Sequence, residues 1–473
     1  MKRLLLLIWL GLAALLGLNS CVERQVTLAV LSVNDMHSAI DKMPRFAALV
    51  DSLRRVYPDL LVLSAGDNRT GNPINDQYDP ANYPMIAMMN KVGFKACTVG
   101  NHEWDGSVAV LQKNIEEADF PFLCANINIP DKVKLDVKPY VILEQQGLHI
   151  AVLGLIETRA DGLPGAHPVH FKQLGFRRAE QVLPDFSYLR DEADVCILLS
   201  HLGFEEDVDM ARQNPWLDAI LGGHSHTLVE FPKEYNGVMV TQAGSSLSHA
   251  TLTLFTVVNG KVTDVQAKTL DVEHYGKENA EMRAMLDGFN NNNRFKEALA
   301  TAVTPFNSRE ELGCLVTDGM RWFTGADFAL QNTGGIRING LSKGPITMKD
   351  VYDIDPYGND VVVYTMTGAQ LEDFIMHSFM ANGDKPSYVS GMTCKVNNDA
   401  KGKPKSVEIK PDQGRYSRNA SYHVAFNSYM ASTVRFQSLD DGQSQYTTSE
   451  EMVIQYLRDK KTVSYKGVRR TFY

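Results

Sequence analysis

Five short motifs place acidic, amide and imidazole side chains directly after apolar runs. They are Asn34-Asp35-Met36-His37, Ser64-Ala65-Gly66-Asp67, Gly100-Asn101-His102-Glu103, Ser200-His201 and Gly222-Gly223-His224-Ser225-His226. Asp, Asn and His supply oxygen and nitrogen ligands, a mixed set without a thiolate that suits Zn, Mn, Fe or Co. The residue types therefore predict a metal site built from several loops.

Each motif taken alone also has an ordinary structural interpretation. Asp-x-His occurs often by chance, and Gly-Asp is a common turn. Paired histidines on a glycine platform seldom serve packing, which makes the Gly222–His226 segment the most specific of the five. Because all five follow apolar runs, we predict a two-metal site, in which Asp67 is the carboxylate that bridges the ions.

The spacing within two motifs suggests shared ligands. Asp35 and His37 are two residues apart, and so are His224 and His226. In extended backbone this spacing puts both side chains on the same side, so each pair could share one metal site. Neighbouring glycines would leave room for the backbone close to the ions.

The elements that position these motifs alternate in character from Gln25 to about Asp271. Stretches such as Pro44–Tyr57 and Ser107–Ala118 have helical spacing. Strand-like runs occur at Leu28–Val33, Leu60–Leu63, Ala96–Val99, Ile150–Ile156, Val195–Leu199, Ala219–Leu221, Val238–Thr241 and Thr251–Val258. This alternation predicts an α/β domain over residues 22–272, with loops that converge at the carboxyl ends of its strands.

The remainder of the chain divides into a linker and a second domain. Residues 273–302 are charged, show no strand-like run and contain four consecutive asparagines, so we predict a helical linker that breaks at the Asn run. The pattern of residues 303–473 predicts a smaller α+β domain. Its expected helices lie near Glu311–Phe323 and Gly368–Met380, and its expected strands near Val361–Met366 and His423–Phe426.

The N-terminus has the pattern of an export signal. Lys2 and Arg3 precede an apolar run that ends at Leu18 and is too short to span a bilayer comfortably. Leu18-Asn19-Ser20-Cys21 resembles a bacterial lipobox. We expect residues 1–20 to be a signal peptide and Cys21 to carry a lipid that anchors an exported protein facing periplasm or cell surface. An ordinary cleaved signal is the alternative.

Charge and cysteine content exclude some classes of protein. The net charge of −9 argues against a nucleic-acid partner, because such binding depends on Lys and Arg at phosphates. Besides Cys21 there are five cysteines, an odd number, and three lie in or beside apolar runs. We therefore expect no disulfide framework.

The order of the five motifs resembles that of the calcineurin-like metallophosphoesterases, and the whole mature chain resembles their 5′-nucleotidase branch. The resemblance implies an N-terminal β-sandwich flanked by helices, with two divalent metals at one edge. It assigns Asp35, His37, Asp67 and His226 to one metal, and Asp67, Asn101, His201 and His224 to the other.

The same resemblance implies roles next to the metals. His102 and Asp105 would form a dyad over the phosphate, in which Asp105 orients the His102 ring. His102 as a further metal ligand is the alternative. Glu103 is expected to support the site without ligating a metal.

The second domain contains two segments that resemble the 5′-nucleotidase C-terminal domain. As isolated segments, both Gln331–Arg337 and Asp355–Asn359 are typical of ordinary turns. By resemblance, they and the segment around Tyr429 bind nucleotide. Asn332 and Arg337 would contact sugar or phosphate, Tyr357 and Tyr429 would stack on the base, and Asn359 would meet the base edge.

Two departures from the family pattern concern the substrate. Ser432-Thr433-Val434-Arg435 stands where the family usually has Gly-Gly-Asp, and Arg435 could favour a more anionic substrate. Arg309 is the nearest match to a family substrate arginine, three positions closer to Gly313 than expected.

The sequence therefore predicts a metal-dependent hydrolase of 5′-nucleotides. The alternatives within the same chemistry are 2′,3′-cyclic nucleotides, nucleotide sugars or a sulfur ester. A non-catalytic binding lipoprotein or a structural module is disfavoured, because every ligand position of the family is present.

Overall fold

The computed structural model of the protein describes residues 24–159, 162–166, 173–399 and 402–473. The expected signal peptide and Cys21 lie outside these ranges. Among the helices within them, none combines the length and apolar character that crossing a bilayer requires. The five cysteines from Cys97 to Cys394 are buried and free, in keeping with the expectation of no disulfide framework.

Twenty-five strands occur in the described residues. In chain order they are β1 (Gln25–Val33), β2 (Leu61–Ser64), β3 (Ala96–Thr98), β4 (Phe122–Leu123), β5 (Ile127–Asn128), β6 (Tyr140–Gln145), β7 (Leu148–Ile156), β8 (Gly175–Phe176), β9 (Val195–His201), β10 (Ala219–Gly222), β11 (Lys233–Tyr235), β12 (Val238–Thr241), β13 (His249–Val258), β14 (Lys261–Asp271), β15 (Ala298–Ala302), β16 (Phe328–Gln331), β17 (Gly344–Thr347), β18 (Asp360–Thr367), β19 (Tyr388–Ser390), β20 (Met392–Asn398), β21 (Pro404–Pro411), β22 (Ser421–Asn427), β23 (Gln443–Thr448), β24 (Thr462–Val463) and β25 (Thr471–Phe472).

Thirteen α-helices accompany them in the same ranges. They are α1 (Met43–Arg54), α2 (Pro73–Asp76), α3 (Tyr83–Val92), α4 (Val108–Glu117), α5 (Ala179–Val182), α6 (Leu189–Glu192), α7 (Phe204–Gln213), α8 (Ala280–Asn290), α9 (Arg309–Thr324), α10 (Met348–Ile354), α11 (Gly368–Ala381), α12 (Ser428–Thr433) and α13 (Ser449–Lys460). One 3₁₀ turn matters for the site, His102–Trp104.

The N-terminal half is built on two six-stranded sheets. The first has the strand order β14-β13-β1-β2-β3-β4, and the second has the order β11-β12-β10-β9-β7-β6. In the first, β1 to β4 run parallel, and in the second, β7, β9, β10 and β12 run parallel. Parallel strands point their carboxyl ends to one edge, where the loops that follow them gather.

The two sheets pack face to face, and helices cover their outer faces. In β1, Leu28 and Val30 belong to the core shared by both sheets, whereas Leu31 and Val33 pack among the helices on the other side. Strand β9 divides its residues in the same way between the shared core and helices α5 to α7. Because side chains alternate across a strand, a strand buried on both faces is apolar throughout. The predicted β-sandwich flanked by helices is confirmed.

The segment expected to be a helical linker is a helix followed by a strand. Helix α8 ends at Asn290, within the run of asparagines, and Phe289 packs edge-on against Tyr78 with ring centroids 5.5 Å apart. The expectation that no strand crosses residues 273–302 is wrong, because β15 pairs with β17 and β24. Its Ala-Leu-Ala-Thr-Ala sequence has little strand signal of its own, so tertiary pairing imposes the extended backbone.

The C-terminal half has an α+β architecture around a five-stranded sheet of order β19-β16-β22-β18-β23. Helix α11 packs its Leu371, Phe374 and Phe379 on one face of this sheet, and helices α9 and α13 pack near the other face. The loops after β16 and before β18, together with helix α12 after β22, lie at the edge that faces the N-terminal half.

Candidate metal centre and adjoining cavity

One buried aspartate, Asp35, and a pair of histidines form one side of the centre. Asp35 follows β1, and its carboxylate Oδ1 lies 3.5 Å from His226 Nε2. The Nε2 atoms of His37 and His226 are 2.9 Å apart, while His37 Nδ1 is 3.1 Å from the carbonyl oxygen of Thr70. Asp35, His37 and His226 each offer one ligand atom within a common 4.8 Å.

Asp67 lies between this group and the second sheet. Its Oδ1 accepts a hydrogen bond from the His102 backbone N–H at 2.8 Å, and its Oδ2 is 3.2 Å from His201 Nε2. Potential ligand atoms of Asp67 are close to Asp35 and His201 on one side and to His37 and His102 on the other. This central position is what a carboxylate needs in order to bridge two ions.

Asn101, His201 and His224 form the other side. Asn101 Oδ1 is 3.2 Å from His201 Nε2 and 3.0 Å from His224 Nδ1. His201 is fully buried, and its Nδ1 is 2.7 Å from the Ala65 carbonyl oxygen. A carbonyl can only accept, so Nδ1 carries a proton and Nε2 is the ring nitrogen that faces Asp67 and Asn101.

The backbone around the ligands is not extended, which corrects the spacing argument for the two pairs. Asp35 and His37 have φ values of 48° and 46°, and His224 and His226 have values of 78° and 56°. These are left-handed conformations, uncommon for residues with a Cβ. As a result His224 turns towards Asn101 and His226 towards His37, so the two histidines do not share a set of neighbours.

The buried carboxylate of Glu103 joins the two loops that supply Asp67 and Asn101. Its two oxygens accept hydrogen bonds from the backbone N–H groups of Asp67 (2.9 Å), Asn68 (2.7 Å) and Gly100 (2.7 Å). Glu103 is only 2% exposed, so it supports the site from behind, as its sequence position suggested. Gly100 cannot carry a side chain, because a Cβ there would lie 2.2 Å from Asp67 Oδ1.

His102 and Asp105 form the expected pair. His102 Nδ1 is 2.7 Å from Asp105 Oδ2, which also accepts from the Thr70 hydroxyl at 2.7 Å. Arg69 lies behind them, buried, and a Cβ on Gly106 would meet its Nη1 at 2.2 Å. Arg69 carries no signal in the sequence, since an arginine in a turn is usually exposed.

Electrostatics favours a charged Asp67 carboxylate and neutral rings at His37 and His224. Burial would lower the pKa of His201, yet Asp67 raises it to about 10, so a metal ion that binds this ring must displace a proton. Burial opposes ionisation of Asp67, but His201 and His102 hold its pKa well below the usual range. Burial, with His201 nearby, lowers the pKa of His224 to about 4, and burial lowers that of His37. Burial would lower the pKa of His102, yet Asp105 raises it to about 9, so this ring is a proton donor at neutral pH.

The donor set fits divalent metal ions. Two carboxylates, one amide oxygen and four imidazoles lie together, each with an atom within 3.5 Å of another member of the set. The ionic neighbours of Asp35 and Asp67 are histidine rings. Buried carboxylates need a compensating cation or a dense set of donors. Mixed oxygen and nitrogen ligands without sulfur suit Zn, Mn, Fe or Co.

A cavity of about 520 Å³ adjoins the centre and is lined by both halves of the molecule. From the N-terminal half it receives His102 and Asp105. From the C-terminal half it receives Asn332, Arg337, Tyr357, Asn359, Tyr429, Ser432 and Thr433. The structure therefore brings the dyad and five of the six expected substrate residues to one space.

Hydrogen bonds hold the cavity residues of the C-terminal half. Buried Asn427 donates to Asn332 Oδ1 at 2.9 Å and caps helix α12, which carries Tyr429, by accepting from Met430 N–H at 2.8 Å. The Arg337 guanidinium lies over the Tyr357 ring, 5.7 Å from its centroid. Burial raises the pKa of Tyr357 although Arg337 lowers it, and Asp105 is close enough to act on it from across the cavity.

Two arginines singled out in the sequence lie elsewhere. Arg309 is at the start of α9, exposed, and its Nε donates to Asn339 at 2.8 Å, so it is not a cavity residue. Arg435 is also exposed and outside the cavity lining, which removes the structural basis for its role with anionic substrates. Arg159, in the loop after β7, lines the cavity instead. No local motif marked Arg159, because its position depends on the packing of two distant loops.

Comparisons with known proteins agree with both halves of this arrangement. Residues 28–228 match the family model for calcineurin-like phosphoesterases, and residues 291–440 match that for the 5′-nucleotidase C-terminal domain. Protein UshA of Escherichia coli (strain K12) is 28% identical over 440 residues, which cover 77% of this chain and 78% of that protein.

Two further relatives extend over most of the chain. The 5′-nucleotidase of Vibrio cholerae serotype O1 is 28% identical over 484 residues, covering 86% of this chain and 85% of that protein. The crystal structure of a 5′-nucleotidase precursor from Thermus thermophilus has the same fold, with a TM-score of 0.73 at 24% identity, over 94% of this chain and 99% of that one.

Replacing Glu103 by Gln tests whether the buried carboxylate holds the ligand loops. The Gln amide group would face backbone N–H donors with hydrogens of its own, so we expect metal affinity to fall about 10- to 100-fold. Calorimetric titration of metal-free protein with Mn²⁺ or Zn²⁺ measures the change. Glu144→Gln is the matched control, because the Glu144 side chain is 81% exposed. Unchanged affinity in Glu103→Gln would show that the network supports the fold alone.

Proposed function

We propose that the chain belongs to the family that joins a calcineurin-like phosphoesterase domain to a 5′-nucleotidase C-terminal domain, and that it hydrolyses 5′-nucleotides to nucleoside and phosphate. One observation carries the proposal: a single cavity is lined by the His102–Asp105 dyad on one side and by Tyr357 and Tyr429 on the other. A nucleotide needs both, a reactive end for its phosphate and a stacking surface for its base.

The candidate metal centre indicates the type of reaction, hydrolysis of a phosphate ester. We propose that Asp35, His37, Asp67 and His226 hold one divalent ion and that Asp67, Asn101, His201 and His224 hold a second, with Asp67 shared. When bound, two such ions, of Zn, Mn, Fe or Co, would lower the pKa of a water and neutralise charge on a phosphoryl group. The His201–Ala65 hydrogen bond supports this assignment, because it occupies Nδ1 and directs Nε2 at Asp67 and Asn101.

The dyad acts on the leaving oxygen. Asp105 keeps His102 oriented through the 2.7 Å contact at Nδ1, which leaves Nε2–H of the protonated ring as a donor. When the ester bond breaks, negative charge develops on the oxygen that departs with the nucleoside. A proton held at that position lowers the barrier by general acid catalysis.

Residues of the C-terminal half bind the nucleoside. The charged guanidinium group of Arg337 is suited to bind phosphate or sugar oxygens, and Asn332 lies on the same loop. The rings of Tyr357 and Tyr429 stack on the base from two sides. Asn359 meets the base edge with its amide N–H₂, because its Oδ1 accepts from the Ser428 hydroxyl at 3.4 Å.

A substrate screen tests this function directly. Metal-loaded protein is assayed for phosphate release from 5′-nucleotides, 2′,3′-cyclic nucleotides, nucleotide sugars and sugar phosphates. We expect 5′-nucleotides to give the highest kcat/KM. Asp67→Ala should lower every rate about 10³-fold or more, because both ions lose a ligand. The control is Asp131→Ala, at an exposed position. A flat substrate profile with intact metal dependence would leave a phosphoesterase without nucleotide selectivity.

Tyr429→Ala tests the stacking surface separately from the metal chemistry. The Tyr429 side chain is 51% exposed, so its removal costs little stability. Loss of one stacking ring costs about 1–3 kcal/mol per base, which predicts a roughly 5- to 150-fold higher KM for AMP. The kcat/KM for ribose 5-phosphate, which lacks a base, should stay unchanged. Tyr446→Ala, at a 90% exposed ring, is the control. Equal effects on both substrates would contradict the assignment.

We also propose that the protein is exported and carries a lipid on Cys21, on the evidence of residues 1–21 of the sequence. Cys21→Ala expressed in a bacterial host should lose incorporation of labelled fatty acid and move from the membrane to the soluble fraction. A wild-type protein that is soluble and unlabelled would instead have an ordinary cleaved signal.

A further inference from the structure

Two carboxyl groups are buried together beneath the loop that carries Tyr357. Asp355 and Glu450 are each 1% exposed. The Ser449 hydroxyl lies between them, 2.8 Å from Asp355 Oδ2 and 3.4 Å from Glu450 Oε2. Gln331 Nε2 donates to the same Asp355 oxygen at 3.0 Å. The metal chemistry uses neither acid, so their presence in the core needs another explanation.

Two hydrogen bonds join the first turn of α13 to the loop that carries Tyr357, Gly358 and Asn359. Glu450 Oε1 accepts a hydrogen bond from the Gly358 backbone N–H at 2.6 Å, and the Ser449 N–H donates to the Asn359 carbonyl at 3.0 Å. Gly358 has a φ of 64°, a left-handed turn that glycine adopts readily. The residues on either side of Gly358 are the ones that stack on the base and meet its edge.

The surroundings of the pair supply hydrogen bonds but little positive charge. Facing it are the Ser449 hydroxyl and Thr448 on the α13 side, Gln331 at the end of β16, and the backbone N–H of Tyr357. Tyr352 is close enough to Glu450 to be affected by its charge, and Arg294 and Glu451 also act on Tyr352. Two buried carboxylates side by side repel each other, so one of them retains its proton.

We propose that Glu450 and Asp355 are positioning residues of the base-binding loop, and that together they hold one proton. When the pair holds one proton, Glu450 accepts the hydrogen bond from the Gly358 N–H and only one negative charge is present. The turn then keeps Tyr357 and Asn359 in position against the base. The inference rests on the proposed nucleotidase function and deepens it, because it names residues that control KM for the nucleoside part.

The pair is sensitive to alkaline pH. Burial raises the pKa of Asp355 to about 6, and burial together with Asp355 raises that of Glu450 to about 8. A raised folded pKa means that the protonated form is the stabilised one, and its contribution is lost as pH rises through about 8. Above that pH both groups are charged, and their repulsion loosens the turn at Gly358.

Glu450→Gln separates this role from a purely structural one. Gln keeps an oxygen that accepts from Gly358 N–H but cannot ionise. In the wild-type protein, KM for AMP should rise up to about tenfold per pH unit above about 8, as expected for one ionisation. In Glu450→Gln it should stay flat, with KM near the wild-type value at neutral pH. The exposed neighbour Glu451→Gln is the matched control and should keep the wild-type profile.

Two further measurements make the test decisive. The kcat/KM for ribose 5-phosphate should show none of the Glu450-dependent change, because that substrate has no base. Asp355→Asn should also flatten the profile, which provides a second variant if Glu450→Gln does not fold. An alkaline rise in KM that persists in both variants, or that is equal for ribose 5-phosphate, overturns the inference. Absence of hydrolysis of any nucleotide by the metal-loaded wild type overturns the proposed function instead.

Discussion

The arrangement of the metal centre depends on one buried group, the Glu103 carboxylate. It binds backbone N–H groups on two loops that follow different strands, and so fixes the distance between Asp67 and Asn101. Five potential ligand residues have left-handed backbone, which costs energy at residues other than glycine. Such conformations persist only where surrounding bonds over-determine them. A carboxylate with several short hydrogen bonds and almost no exposure to water provides that rigidity.

Sequence patterns predicted well which side chains the structure brings together, because metal chemistry restricts residue type and each motif ends a strand with a strong apolar signal. They failed on local conformation. The assumption of extended backbone put His224 and His226 on one side, whereas left-handed turns separate them. Strand β15 was missed as well, since its small residues are extended only by pairing with β17 and β24.

Substrate residues were harder to predict, because they depend on contacts between segments far apart in the chain. Asn332, Tyr357 and Tyr429 stood in recognisable motifs, and the structure brings them to one cavity. Arg309 was assigned by its distance along a helix, yet the start of α9 directs it to Asn339. Arg159 has no motif and reaches the cavity only through the packing of the two halves. The Glu450–Asp355 pair was likewise invisible, as its members are 95 residues apart in the numbering.

In each half, the first strand pairs with a strand near the end, which has a consequence for how the molecule is made. β1 pairs along its length with β13, and β15 pairs with β24, so each half is closed by contacts between residues more than 150 positions apart. Such non-local pairing makes folding slow. Synthesis from the N-terminus delivers β13 before any of the second half exists. The pairing beside the predicted metal ligands can therefore be completed first, and the C-terminal half is assembled afterwards against a surface that is already formed.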